Sequence, residues 1–137
     1  GLVGSEMCIR DSSRAVRGAS AGFDLVLAAD VLWVSSQHAA LLHTIRALLA
    51  HTPEARCVLV AGFHTGRPAV TRFLRAATAE LALDEAAPHG GLYERRFSGE
   101  VRPWQGPPLA AADEEEEMGE PEERARWVMI AVLRWPA

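Results

Sequence analysis

The sequence predicts an α/β protein built on a parallel sheet, and three observations lead to that prediction. Two short, almost wholly apolar runs are separated by one amphipathic helical segment, and a second amphipathic segment follows them. Uninterrupted apolar runs are typical of strands buried on both faces of a sheet. Strands that alternate with helices favour a doubly wound arrangement. The chain has 137 residues, which is enough for one domain at most.

The first predicted strand covers residues 23–29, follows a glycine and stops at Asp30. Residues 35–38 then offer side chains that favour a helix N-cap. The helix after them has an apolar face with 3.6-residue spacing. That face consists of Leu41, Leu42, Ile45, Leu48 and Leu49. Residues 51–53 end the helix with a proline.

The second predicted strand covers residues 56–63, and residues 62–66 form a loop at its carboxyl end. Pro68 suits the first turn of a second helix. The buried face of that helix is predicted at Val70, Phe73, Leu74, Ala77 and Leu81. Residues 81–86 are a candidate short strand, extended by residues 92–97, and residues 127–135 are a closing strand. Ligands of doubly wound sheets bind at the carboxyl ends of the strands, here residues 29–33 and 62–66.

Charge is unevenly distributed along the chain. It contains 14 basic residues, all of them arginine, and 18 acidic residues, for a net charge of −4. Eight of the acidic residues lie between positions 113 and 123, so the rest of the chain is mildly basic. Residues 103–123 are also rich in Pro, Gly and Ala, which predicts a disordered, acidic surface insert.

Composition excludes several classes of protein. The overall charge gives no general case for nucleic-acid binding. Two cysteines are too few for a disulfide framework or a cysteine-rich zinc site. No apolar run approaches the roughly 18 residues of a membrane span. Cys57 lies in a predicted buried strand, where we expect an inert thiol.

The first twelve residues differ from the remainder. Residues 6–12 read EMCIRDS, which resembles a translated sequencing-library adapter. We therefore exclude residues 1–12 from the fold and expect residues 13–137 to be the C-terminal part of one domain. A genuine N-terminal arm is the alternative.

Three motifs occur in order along the chain: DVLW at positions 30–33, SSQH at 35–38 and AGFHTGR at 61–67. Together they resemble the seven-strand S-adenosylmethionine-dependent methyltransferases. Within that family they are most similar to the fungal nicotinamide N-methyltransferase-like branch, which is associated with methylation of elongation factor 1-alpha. The RARW sequence at 124–127 resembles the approach to the C-terminal strand of that branch. The resemblance covers residues 23–135.

The resemblance implies a Rossmann-like sheet of which this chain holds the C-terminal half, strands four to seven with two helices. Residues 23–29 would be the fourth strand and residues 56–63 the fifth. Residues 81–86 would belong to the sixth strand, and residues 127–134 would be the antiparallel seventh. The acidic, glycine-rich cofactor loop of the family has no counterpart in the sequence. The resemblance therefore implies a fragment that neither binds the cofactor tightly nor turns over.

The resemblance also implies a set of site residues. Ala29 would lie against S-adenosylmethionine, because a small side chain lets the backbone approach the cofactor. Asp30 and Trp33 would border the methyl-transfer site, where an aspartate holds an amine and a tryptophan lines a cationic pocket. His64 is a candidate substrate contact. A nitrogen would displace the sulfonium methyl, and the protein would act mainly by positioning and desolvation. No metal is expected, and the catalytic residues are unassigned.

The expected function is N-methylation of a protein amine or lysine, with elongation factor 1-alpha as a candidate substrate. We expect a cytoplasmic protein that is a monomer at full length and has no nucleic-acid or membrane partner. A small-molecule, nicotinamide-like methyltransferase and a non-catalytic binding module that works through the acidic insert are alternatives. Half of an unrelated doubly wound enzyme is a further one. Because strand one would be missing, we also expect residues 23–29 to form an unpaired apolar edge.

Overall fold

A computed structural model describes residues 22–32, 34–64, 66–109 and 121–137, and shows a mixed α/β fold with six strands and three α-helices. The strands are β1 (Leu25–Ala29), β2 (Arg56–Ala61), β3 (Ala82–Leu83), β4 (Leu92–Arg96), β5 (Val101–Pro103) and β6 (Trp127–Arg134). The helices are α1 (His38–Leu48), α2 (Arg67–Thr78) and α3 (Pro121–Ala125). Short 3₁₀ turns at Ser35–Gln37 and Pro88–Gly91 precede α1 and β4.

The first two strands form the parallel pair that the sequence predicts. β1 lies beside β2 with Leu25 opposite Arg56 and Ala29 opposite Val60, and α1 connects them. No side chain caps the amino end of α1, although residues 35–38 were expected to do so. A turn of 3₁₀ helix leads into α1 instead, and the side chain of His38 contacts the preceding loop. Pro68 lies in the first turn of α2, as predicted.

The remaining strand pairings are antiparallel, which differs from the predicted parallel, doubly wound sheet. The strand order is β1-β2-β6-β4-β5, and β3 also pairs with β6. β6 is antiparallel both to β2 and to β4. Consequently β1, β2 and β4 all run in one direction, and β6 runs against them inside the sheet. The closing strand was predicted correctly, but its place between β2 and β4 was not predicted from periodicity.

The candidate strand of residues 81–86 is shorter than predicted, and residues 92–96 form a separate strand. Both β3 and β4 pair with β6, so they lie along the same side of it. The chain between them makes a turn that ends at Gly91, whose φ is +91°. A Cβ atom there would lie 2.8 Å from the carbonyl oxygen of Asp84, so only glycine fits without a shift.

The hydrophobic core lies on one face of the sheet. Alternate residues of β2 and β6 are buried beneath α1 and α2, among them Cys57, Leu59, Met129 and Leu133. Phe73, Leu74 and Ala77 of α2 are fully buried against them. Burial raises the pKa of the Cys57 thiol to about 12, which matches the expected inert cysteine.

The outward face of β1 is exposed, which corrects the prediction that residues 23–29 are buried on both faces. Leu25 is 62% exposed and Leu27 is 67% exposed, whereas Ala28 on the core face is buried. An apolar run indicates that a strand is suited to burial on both sides, but not that the chain supplies both covering layers. Within the described residues β1 is also an edge strand, as expected.

The predicted insert of residues 103–123 is ordered at both of its ends. Pro103 belongs to β5, and the indole NH of Trp104 donates to the Pro107 carbonyl at 3.0 Å. Arg75 of α2 donates to the Leu109 carbonyl at 2.8 Å. Glu123 lies in α3. Most of the acidic run falls in residues 110–120, outside the described residues. In the described part of the chain, none of the helices has the length and apolar character needed to cross a membrane.

Candidate functional site

One edge of the sheet collects the candidate site residues. Because β1, β2 and β4 run in one direction, their carboxyl ends meet at the same edge, and β6 begins there because it runs the other way. The segments brought to this edge are residues 29–32, 62–64, 96–97 and 124–127. Polar side chains on loops at such an edge are well placed to bind a ligand.

Ala29 and Asp30 lie at the end of β1, and both are exposed. Asp30 has a φ of +56°, in the left-handed region that residues with a Cβ adopt only at a cost. Its backbone NH donates to the Val60 carbonyl at 2.8 Å, which fixes this conformation against β2. The Asp30 carboxylate makes no hydrogen bond or ion pair with another described residue, so it is free to accept one from a ligand.

His38 holds the segment that follows Asp30. Its Nε2 donates to the Leu32 carbonyl at 2.8 Å, and its ring packs edge-on against Phe73 with the centroids 5.3 Å apart. Leu32 is itself buried and belongs to the hydrophobic core, so this loop is fixed against the core. These contacts give His38 a structural role. Trp33, the other residue expected at the methyl-transfer site, lies outside the described residues.

His64 lies on the turn after β2 and is exposed. Its ring folds back over Gly62. A Cβ atom added at that glycine would lie only 3.3 Å from His64 Nε2. The Phe63 side chain between them is buried. The backbone NH of Gly66 donates to the Phe63 carbonyl at 3.0 Å, which closes the turn. His64 is therefore presented at the same edge as Asp30.

A cleft of about 320 Å³ opens beside His64. It is lined by Gly62, Phe63, His64, Phe97, Arg124, Ala125, Trp127 and Val128. Arg124 reaches across it, with Nη1 at 3.5 Å from the Phe63 carbonyl oxygen. The Nε atom of Arg124 is buried and has no hydrogen-bond partner among the described residues. The walls of the cleft combine aromatic rings with a cation.

A buried cluster of charged side chains lies behind this cleft, centred on Glu94, which is fully buried. Arg67 donates to both carboxylate oxygens through Nε and Nη2, each at 3.0 Å. Arg102 donates through Nη2 at 2.9 Å and Nε at 3.1 Å. The backbone NH of Gln105 donates at 3.2 Å. Charge-assisted, paired contacts of this kind fix the position of a carboxylate closely.

Both arginines of this cluster also lie against aromatic rings. The Arg67 guanidinium is 4.4 Å from the centre of the Phe63 ring, and that of Arg102 is 3.8 Å from the Trp127 ring. Glu123 accepts from the Trp127 indole NH at 3.0 Å and lies 3.4 Å from Arg102 Nη1. The cluster therefore ties α2, β4, β5, α3 and β6 together, and so sets the shape of the cleft.

No role was predicted for Glu94 from the sequence, although the alternation of residues along β4 indicated that its side chain is buried. Leu92, Glu94 and Arg96 alternate along β4, and Leu92 points to the core, so Glu94 does too. A carboxylate in an inward position requires cationic partners. Arg67 occurs in the AGFHTGR motif and Arg102 in β5, but their meeting with Glu94 depends on long-range pairing that the local pattern does not show.

The structure thus brings Ala29, Asp30 and His64 to one edge and adds Arg124 and the Glu94 cluster behind it. Within the described ranges, no three His, Cys, Asp or Glu residues converge in a way that could hold a metal ion. Comparison with protein-family models finds none that matches the chain, and the curated proteins contain no match. The chemistry available at the edge is that of an exposed carboxylate, an imidazole and a cation–aromatic cleft.

Proposed function

We propose that this chain is the C-terminal part of an S-adenosylmethionine-dependent N-methyltransferase of the seven-strand class, acting on a protein amine or lysine. The observation that supports this most is the direction of the strands. β1, β2 and β4 run together, and the last strand, β6, runs against them within the sheet. The resemblance of the DVLW and AGFHTGR motifs implies such an antiparallel last strand and places both motifs at the observed edge.

The open face of the sheet is a second support for the proposal. Apolar residues of β1 such as Leu25 and Leu27 are exposed on it, and the described chain offers no second layer. A protein of this class needs a further half that carries the cofactor loop. An apolar, uncovered sheet face is the surface against which further polypeptide would pack.

The described residues fit only part of a cofactor site. Ala29 is small and exposed at the end of β1, which would let a ligand approach the backbone. The loop at residues 62–66 follows β2 and lacks the acidic, glycine-rich pattern of a cofactor loop. The chain by itself therefore does not supply the groups that would hold S-adenosylmethionine, and the proposed reaction requires the other half.

The proposed roles of the acceptor-side residues follow from their positions. The Asp30 carboxylate, exposed and without a partner among the described residues, would accept a hydrogen bond from the acceptor amine. His64 would contact the acceptor from the neighbouring turn. Elongation factor 1-alpha is the candidate protein substrate. A small pyridine such as nicotinamide is the alternative acceptor, and the missing cofactor loop favours a non-catalytic binding module as a further alternative.

The experiment is a methyl-transfer assay with radiolabelled S-adenosylmethionine on the chain alone and on the same chain extended by its upstream coding sequence. Elongation factor 1-alpha and nicotinamide are offered separately as acceptors. We expect labelling of the protein by the extended form only. Asp30→Asn should lower the rate at least about tenfold, because a neutral amide oxygen is a weaker acceptor than a carboxylate for the hydrogen bond that would orient the acceptor amine.

Asp24→Asn is the matched control, since Asp24 is exposed at the other end of β1 and should leave the rate within about twofold. Labelling of nicotinamide rather than protein would assign the alternative acceptor. An extended protein that labels neither would contradict the proposal and support the binding module.

A further inference from the structure

Four arginines surround one exposed aromatic side chain beside the cleft. Arg95 and Arg96 end β4, Arg124 lies in α3 and Arg126 immediately precedes β6. We call these four residues, with Phe97 at their centre, the arginine surface. Phe97 is 98% exposed, although the burial of a phenylalanine side chain is favourable. The exposed ring offers an apolar contact directly beside the positive charge of Arg95, Arg96 and Arg126.

The positive charge of this surface is poorly compensated. Neither the Arg95 nor the Arg126 guanidinium makes a hydrogen bond or ion pair with any other described residue. Arg96 has a long contact with Glu100, at 3.5 Å, and its guanidinium lies 5.4 Å from the centre of the Trp127 ring. The nearby carboxylates, Glu94 and Glu123, are already occupied by Arg67, Arg102 and Trp127. The arginine surface therefore retains guanidinium groups with free donors.

The geometry gives these donors a common place to act. Arg95 lies opposite Val128 across the β4–β6 ladder, and Arg126 precedes Val128 by two positions. A shallow cleft of about 160 Å³ lies between them. Arg95, Arg96, Phe97, Arg126 and Val128 line it. This volume suits a carboxylate side chain, which an arginine can hold through two parallel hydrogen bonds.

We propose that the arginine surface binds an acidic protein segment that carries an apolar side chain, with carboxylates at Arg95 and Arg126 and the apolar group against Phe97. The small size of the cleft, with two guanidiniums unpaired among the described residues beside one exposed ring, favours a short protein segment that carries a few carboxylates and one apolar side chain. Nucleic-acid binding also requires a longer basic track than four arginines around one ring. This proposal is independent of methyl transfer.

The test is fluorescence anisotropy of the full chain with a labelled peptide of about twelve residues, rich in Asp and Glu with a central Leu, at low salt. A peptide with Asn and Gln in place of the acids is the ligand control. We expect the acidic peptide to bind and the neutral one not to bind. Arg126→Gln should weaken binding about fivefold, and Arg95→Gln combined with it should weaken binding further.

Arg72→Gln is the matched control, because Arg72 is exposed on α2, away from this surface, and should leave affinity unchanged. Circular dichroism and the urea midpoint of each variant show whether it is folded. Equal affinity of Arg126→Gln and Arg72→Gln for the peptide would overturn the proposal. Tighter binding of a labelled oligothymidylate of the same length, weakened by Arg126→Gln, would overturn it in favour of a nucleic acid.

Discussion

At the scale of single residues, Glu94 is the side chain on which the candidate site most depends. It is fully buried, and it accepts hydrogen bonds from Arg67, Arg102 and the Gln105 backbone. A buried carboxylate is stable only when its partners compensate for the loss of water. Its partners come from a helix, a strand and a loop, so the same contacts that stabilise the charge also fix the cleft.

Replacing Glu94 with Gln should reduce the free energy of unfolding by about 3–5 kcal/mol, because two guanidiniums then face a neutral group in a buried site. Urea unfolding followed by tryptophan fluorescence measures the change. Glu100→Gln is the control, since the Glu100 side chain is 62% exposed and its pair with Arg96 should contribute less than about 1 kcal/mol. Equal stability of the two variants would contradict this account of the cluster.

Asp84 makes stability depend on pH at another place in the fold. The Arg56 guanidinium, 2.8 Å from the carboxylate, holds the pKa of Asp84 below its usual value of 3.8. A lowered folded-state pKa means that the stabilisation is present above the unfolded pKa and is lost as pH falls through the folded one. Asp84→Asn removes this contribution at all pH values.

The stability gap, meaning the difference in free energy of unfolding between the wild type and Asp84→Asn, should therefore be largest at about pH 7. It should fall towards zero at about pH 2. Urea unfolding at a series of pH values measures it. Comparing the gap, rather than wild-type stability alone, cancels the titration of the other carboxylates. A gap that is constant across this range would show that the pair with Arg56 does not shift the Asp84 titration.

At the scale of elements, the local hydrophobic periodicity predicted where a helix or strand lies and which of its residues face the core. The apolar face of α2 and the alternation of β2 and β6 are set by which side chains face the core, and these elements appear within a few residues of expectation. Ala29 and Asp30 became candidate site residues through the resemblance of the DVLW motif, and His64 through its place in the loop after β2; the structure brings all three to one edge of the sheet. The pairing of β6 between β2 and β4, and with it the Glu94 cluster, depends on contacts distant in sequence.

β1 is more exposed than its apolar sequence predicts. Its sequence LVLAA suits burial on both faces, yet Leu25 and Leu27 are exposed on one of them and the strand lies at the edge of the described sheet. Exposed apolar edge strands promote association between chains. We therefore expect the isolated chain to self-associate through β1.

Leu27→Lys should reduce self-association of the chain while changing the free energy of unfolding by less than about 1 kcal/mol, because the position is exposed. Sedimentation velocity over a range of concentrations measures association. Ala47→Lys, at an exposed position of α1, adds the same charge elsewhere and should leave association unchanged. If both variants associate as the wild type does, β1 is not the surface responsible.

At the scale of the whole molecule, the described sheet has different surroundings on its two faces. Both long helices pack on one face, whereas Leu25 and Leu27 of β1 are exposed on the other. The carboxyl edge of the described sheet presents the Asp30 carboxylate and the His64 imidazole, which are the acceptor-side groups of the proposed site. Under the methyltransferase proposal, the cofactor loop belongs to sequence upstream of these residues.

A complete site is expected to bind S-adenosylmethionine with a Kd of about 1 μM. Calorimetric titration of the 137-residue chain should accordingly show no binding of that affinity. The chain extended by its upstream coding sequence is the positive control. Binding by the 137-residue chain at that affinity would show that these residues hold the cofactor without the acidic, glycine-rich loop.

Sequencing of the natural transcript upstream of Ser13 tests the methyltransferase proposal without any assay of activity. We expect the transcript to encode an apolar strand, an acidic, glycine-rich loop and a helix, continuous with residue 13 and without residues 1–12. A transcript that runs through Glu6, Met7 and Cys8 into an in-frame start codon would contradict the methyltransferase proposal and leave a short binding module in its place.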